Sequence, residues 1–164
     1  MTEMPNPAER VMDLKQALAF RGELRKQGKR LVVTNGCFDL LHRGHATYLA
    51  AARSQGDALL VLVNSDASVR ALKGADRPVV DEYSRAFLLA SLRAVDAAVI
   101  FAGSRCDREL EILAPDIYVK AGDYTLEKLD PSERAALEKS GTQIVFMPFV
   151  PGFSTTGTLK KILG

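Results

Sequence analysis

Two histidines, His42 and His45, are the only imidazoles in the chain, and they stand three residues apart. At the first turn of a helix that spacing puts both rings on one side. The run before them, Leu31-Val32-Val33-Thr34, is apolar and β-branched and predicts a buried strand, which Asn35 and Gly36 end. A strand that breaks at a glycine and delivers two histidines to a helix start outlines an anion site. The N–H groups there lack internal partners, and the helix dipole adds positive charge. Phosphate is the expected anion. Two imidazoles without further ligands do not complete a zinc site. Cys37 lies outside any Gly-x-Ser-x-Gly nucleophile elbow. The chemistry left to the pair is hydrogen bonding to phosphate oxygens and stabilisation of charge that develops on them. Such a pair can also simply cap a helix, and taken alone the two readings stand level.

Other motifs bear on how phosphate would be held. The chain has no Gly-x-x-x-x-Gly-Lys-Ser/Thr, and no Gly-x-Gly-x-x-Gly follows Thr34, so neither a P-loop nor a common dinucleotide site is expected. Ser154-Thr155-Thr156-Gly157 offers hydroxyls and free N–H groups at a second helix start. For a lone Ser-Thr-Thr, plain capping is the commoner meaning.

These residues need a scaffold, and the pattern supplies one. Residues 1–8 are polar, contain Pro5 and Pro7, and read as a frayed arm. Val11, Leu14, Leu18 and Leu24 fall at helical spacing from Glu9 to Gln27, and Gly28 stops that helix. Strands are predicted at 30–34, 58–63, 97–101, 117–119 and 143–147. Between and after them lie helices from Gly44 to near Gly56, then at 66–72, 84–94, 106–113, 131–140 and 154–163. The alternation predicts an α/β fold, a Rossmann-like doubly wound five-stranded parallel sheet with helices on both faces. Residues 1–28 read as an N-terminal arm and amphipathic helix, and residues 29–164 as one domain. Ligands of such folds bind beyond the carboxyl ends of the strands. The loops at 35–45, 64–66, 120–124 and 148–156 therefore belong to one rim.

Bulk properties narrow the partners. Net charge is only +2, too little to suggest a nucleic acid but no obstacle to a small phosphorylated ligand. No apolar run approaches the ~20 residues of a membrane span, and MTEMPNPAER lacks a signal pattern. Cys37 and Cys106 have no metal or redox spacing. A cytoplasmic protein is expected. A homo-oligomer, dimer or higher, would find apolar surface on the helix before the first strand or on the 84–94 helix, and both fit the core equally well.

Here a resemblance becomes specific. TNGCFDLLHRGH (34–45), with its His-x-Gly-His, resembles the signature of the nucleotidyltransferases of the cytidylyltransferase-like superfamily. FSTTGTLKKI (153–162) resembles that superfamily's closing Ser/Thr-Thr motif. Within it, TNGCFDLLHRGHATYLAAARSQGD, VNSD, LKGADRPV and VKAGDY are similar, in order and spacing, to the adenylyltransferase domain of the heptose-phosphate enzymes. The likeness runs from about residue 25 to the C-terminus. That domain is often fused to a sugar kinase, and this chain looks like a stand-alone form.

The resemblance implies transfer of AMP from ATP to D-glycero-D-manno-heptose 1-phosphate, with Mg²⁺ held mainly by phosphate oxygens. It implies that His42 and His45 contact the phosphates of ATP, with Lys73 and Arg85 as further cations of the catalytic site. Thr34, Asn35, Gly36, Cys37 and Phe38 would floor the nucleotide, with Gly44 and Asn64 beside it. Lys120, Gly122, Asp123 and Tyr124 would line the nucleotide pocket, and Ser154, Thr155 and Thr156 would hold the β- and γ-phosphates. Asp39 would face the sugar phosphate or order its loop, and Arg77 would face the sugar substrate. Without the resemblance, Lys73 and Arg77 read as a solvated loop, and Arg85 as a partner of Glu82. Ala121, Phe153 and Asp81-Glu82-Tyr83 depart from the family's usual pattern. Two other activities stay open: a cytidylyltransferase acting on glycerol 3-phosphate or another alcohol or sugar phosphate, and a non-catalytic nucleotide-binding module. A flavodoxin-like carrier or phospho-receiver fits the strand pattern but not the motifs.

Overall fold

The computed structural model describes residues 6–122, 124–148 and 150–163, and in it the chain opens with a 3₁₀ turn, Pro7–Arg10, and a two-residue strand, β1 (Val11–Met12). Helix α1 (Leu14–Lys26) begins only after Asp13. The Asp13 carboxylate accepts from the Gln16 N–H at 2.7 Å, and the Gln16 side chain accepts from the Asp13 N–H at 2.9 Å. This capping box satisfies two donors that the helix cannot, and it fixes where the helix starts. The chain before it is extended, so Val11 and Met12 pair with Ala98 and Val99. The expected helix from Glu9 is thus shortened, and the sheet has six strands, not five.

The remaining elements alternate as their punctuation dictates: β2 (Leu31–Gly36), α2 (Arg43–Arg53), β3 (Ala58–Asn64), α3 (Asp66–Lys73), α4 (Glu82–Ala90), β4 (Ala97–Phe101), α5 (Asp107–Leu113), β5 (Ile117–Ala121), α6 (Pro131–Ser140), β6 (Gln143–Met147) and α7 (Thr155–Leu163). All paired strands are parallel, in the order β1-β4-β3-β2-β5-β6. Successive side chains of a strand face opposite sides, and the core divides accordingly. Leu31, Val33, Leu60 and Leu62 pack against Ala17, Leu24, Leu110 and Leu137 of α1, α5 and α6. Val32, Leu59, Val61 and Val63 pack against Leu49, Ala52 and Leu89 of α2 and α4. Helices therefore cover both faces. A bidentate pair, Arg21 to Asp116 at 2.7 and 3.0 Å, ties α1 to the start of β5, and Asp116 also accepts from the Leu31 N–H. Among the described residues, no helix is long and apolar enough to cross a membrane.

The order of the strands places the site. From β2 the chain steps outward through β3 to β4, then returns to add β5 on the other flank of β2. Such a reversal leaves a crevice between the carboxyl ends of β2 and β5. Asn35-Gly36 ends one of these strands and Lys120-Ala121 the other.

Candidate active site

A cavity of about 910 Å³ opens at that reversal. Its volume suits a ligand larger than a metabolite fragment. His42 and His45 line it together. His42 is the N-cap of α2, where its Nδ1 accepts from the His45 N–H at 3.3 Å. The cap therefore leaves the Nε2–H of His42 as its free donor. The two rings stack with centroids 3.7 Å apart and planes 16° apart. Phe38 meets His45 edge-on at 5.3 Å, from a left-handed backbone (φ 48°) that non-glycine residues seldom adopt. Gly44 is required between the histidines: a Cβ there would lie 2.9 Å from the Phe153 Cβ and 3.0 Å from the His42 Nδ1.

Both imidazoles are neutral at rest. Burial lowers the His42 value below the usual one, and burial followed by the neighbouring His42 pushes His45 down to about 4. The His45 Nδ1 is buried without a partner, so Nε2 is the nitrogen left to meet a ligand. The stability consequence has a definite sign. Between about 4 and the ordinary 6.5 the unfolded chain binds a proton on His45 that the folded chain refuses, so stability falls as pH drops through that window. A polyanion on Nε2 acts the other way by favouring the charged ring. In NMR titrations His45 is expected to titrate near 4 in the free protein and markedly higher when a triphosphate is added. An unchanged titration would place the anion elsewhere.

The second helix start reaches the same cavity. Ser154, Thr155 and Thr156 line it, and the Ser154 hydroxyl caps α7 by accepting from the Gly157 N–H at 2.9 Å. Phe153 joins the two starts. Its ring stacks on His42 at 6.1 Å, and the Arg43 guanidinium sits over it at 4.5 Å.

The cavity wall gathers most of the other residues that the sequence singled out. Gly36, Cys37, Asn64, Lys73 and Tyr124 line it, as do Asn35, Phe38, Asp39, Gly44, Arg77 and Lys120. Burial pushes the Cys37 thiol up in spite of nearby Lys73, Arg85 and Arg77, which keeps it protonated rather than nucleophilic. Asp39 turns inward. Its two oxygens accept from the Val79 and Val80 N–H groups at 2.8 and 2.9 Å and from Arg77 at 2.6 Å. Burial alone would raise its pKa, but those two amides and Arg77 together hold it below the usual carboxylate range. Asp39 and Arg77 therefore spend groups on each other and order the 77–80 loop.

Three expected residues stand off the cavity. Thr34 is fully buried and bonds the Tyr48 hydroxyl at 2.7 Å. That hydroxyl gives its proton to the Val119 carbonyl, so Thr34 donates to it and braces α2 against β2 and β5. Arg85 is also fully buried, with its guanidinium spent on the carbonyls of Val80 and Cys37 and on Asp66 rather than turned toward a phosphate. Its expected partner, Glu82, instead accepts from the Asp66 N–H. Gly122, with φ 108°, turns the chain after β5 and donates to the Met147 carbonyl. Asp123 lies outside the described residues. Sequence reasoning missed Tyr118 and Glu133, which partner Lys120 at the cavity. Tyr118 reads as one more strand residue, and Glu133 as one charged residue of the 131–140 helix. Among the described residues, no group of three or more His, Cys, Asp or Glu side chains could hold a metal ion.

Comparison with known proteins gives a consistent picture. Residues 33–156 match the family model described as Cytidylyltransferase-like. The chain is 46% identical over 158 residues to the bifunctional protein HldE of Geotalea uraniireducens, covering 96% of this chain and 32% of that protein. It is 44% identical over 154 residues to the HldE of Nitratiruptor sp., covering 94% of this chain and again 32% of the relative. The chain thus spans about a third of the length of the curated relatives it matches. The crystal structure of a lipopolysaccharide core biosynthesis protein from Thermoplasma volcanium is 31% identical. It covers 75% of this chain and 98% of its own, with a TM-score of 0.60.

Proposed function

The chain belongs to the cytidylyltransferase-like family, and we propose that it transfers AMP from ATP to D-glycero-D-manno-heptose 1-phosphate, releasing pyrophosphate and giving ADP-heptose for the lipopolysaccharide core. One observation carries this reading. The stacked His42–His45 pair at one helix start and Ser154–Thr156 at another share a single cavity at the strand reversal. Two anion-binding ends on one cavity suit a triphosphate, with the attacked phosphate at the imidazoles and the far phosphates at α7.

In this reaction an oxygen of the sugar 1-phosphate attacks the α-phosphorus of ATP. The new P–O bond forms as the bond to the β-phosphate oxygen breaks, and that electron pair leaves with pyrophosphate. The attacking monoester is already anionic, so no protein base is required. The side chains align the reactants and meet the growing charge. His42 and His45 donate from Nε2, and Lys73 adds a positive charge from the end of α3. Mg²⁺ would be held mainly by phosphate oxygens and water, as it prefers, and would supply charge neutralisation across the phosphates. Of the four described carboxylates that line the cavity, Asp39, Asp130 and Glu133 are already paired with Arg77, Arg105 and Lys120. Only Glu127 makes no ion pair among the described residues, which fits an ion carried mainly by the substrate. Both substrates are small and charged, and the proposed setting is the cytoplasm.

Pyrophosphate release, measured with each nucleoside triphosphate against a panel of sugar and alcohol phosphates, tests the reading. Release is expected with ATP and the heptose 1-phosphate. Release confined to CTP with glycerol 3-phosphate would move the substrate class, and none with any pair would leave a nucleotide-binding module.

A further inference from the structure

Lys120 lines the cavity, yet its charge is not offered to a ligand. Its Nζ lies 3.1 Å from the Asn35 Oδ1, 3.2 Å from the Tyr118 hydroxyl and 3.5 Å from the Glu133 Oε2. An ammonium has three protons and accepts nothing, so these three acceptors use all it has. Glu133 is 4% exposed, and its other oxygen meets the Cys106 N–H and thiol, each at 3.5 Å. The buried carboxylate offsets the ammonium. A buried pair of this kind contributes little net stability, and its best-attested use is to specify one arrangement of its neighbours.

The arrangement specified here is that of the Asn35 amide. A side-chain amide has an acceptor end and a donor end of nearly the same shape. Only the oxygen can face the Lys120 ammonium. Tyr118, which accepts from Lys120, gives its proton to the same oxygen at 2.7 Å. Two donors thus hold Oδ1, and Nδ2 is left with no partner among the described residues, on a side chain that lines the cavity. We propose that Glu133, Lys120 and Tyr118 form a positioning chain that turns the Asn35 amide so that its Nδ2 donates into the cavity, to an acceptor atom of the bound nucleotide. Glu133 and Tyr118 touch no ligand and act through Asn35. The inference rests on the functional reading above for the nature of its ligand.

The test is a double-mutant cycle on the full chain, read by calorimetric titration with ATP, with thermal melting to show that each variant is folded. Glu133→Gln keeps the shape of the side chain but removes the charge that holds Lys120. It is expected to weaken ATP binding about tenfold, as is Asn35→Ala, on the scale of one hydrogen bond made or lost. The double variant is expected to bind no more weakly than Asn35→Ala alone, because Glu133 has then nothing to position. In steady state the loss should appear in KM for ATP rather than in kcat. Should Glu133→Gln fail to fold, Tyr118→Phe, which keeps the ring in the core, takes its place in the same cycle. Losses that add in the double variant, or an unchanged affinity in Glu133→Gln, overturn the positioning chain alone. A wild-type chain that binds no nucleotide overturns the functional reading and this inference with it.

Discussion

His45→Ala should lower kcat about a hundredfold or more, the cost of removing one donor aimed at developing charge, while the protein stays folded. The cap geometry explains the separation. His42 caps α2 by accepting from the backbone N–H of residue 45, which alanine retains. The variant loses the stacked ring and its edge contact with Phe38, and it removes a buried nitrogen that has no partner. Its melting temperature should therefore shift by only a few degrees. His42→Ala differs in kind. It loses the cap as well as the donor, and a lost cap costs about 1 kcal/mol. Steady-state rates and calorimetric melting on the two variants together separate chemistry from capping. If both turned over at the wild-type rate, the stacked pair would be a helix cap and nothing more.

The capping role and the chemical role were level in the sequence, and the reason is physical. His-x-Gly-His reports that two rings can share one side of a helix start, but not what lies opposite. Phe153 and Ser154 are more than a hundred residues away in the chain, and only the strand reversal brings Phe153 against His42 and Ser154 onto the same cavity. Punctuation fixes α6 to the residue, whereas the helix expected at 84–94 runs from Glu82 to Ala90, behind an Asp81 cap. Pro131 opens α6 and Gly141, with φ 68°, ends it, as expected for each type. The strand at 143–147 was equally plain. The missed strand, β1, has only two residues and carries no periodic signal. Its clue was Asp13 with Gln16 three residues on, a box that bars the helix from starting earlier. Resemblance of motif assigns Thr34 and Arg85 to the site, yet both are fully buried off the cavity wall, because a motif match does not tell which face of a strand or helix is turned inward. Lys120 shows the converse: it reaches the cavity, but the partners that occupy it come from β2 and α6.

Arg85 and Lys73 were expected as a pair of cations, and the structure predicts opposite outcomes for them. Arg85 is fully enclosed, and its three nitrogens donate at 2.8 Å to the Val80 carbonyl, 2.6 Å to the Cys37 carbonyl and 2.7 Å to Asp66. Those acceptors belong to the loop before α4, the loop after β2 and the start of α3. Arg85→Ala strands two carbonyls and a carboxylate and leaves a void among them. Breaking a buried pair from one side costs about 3–5 kcal/mol, and with Asp66 a quarter exposed the lower end, about 3 kcal/mol, is expected. That corresponds to a fall of roughly 10 °C in melting temperature. Arg85→Lys should recover only part of it, because a point charge cannot serve three separated acceptors as a guanidinium fork does. Lys73 ends α3, is exposed, and makes no hydrogen bond or ion pair to another described residue. Lys73→Ala should melt with the wild type, within about 0.5 kcal/mol, yet lose about tenfold or more in kcat through lost charge at the phosphates. Melting and turnover measured on both variants give the decisive comparison. An Arg85→Ala protein that melts like the wild type but turns over slowly would return that arginine to the phosphates and undo its assignment as the clamp behind the β2 loop.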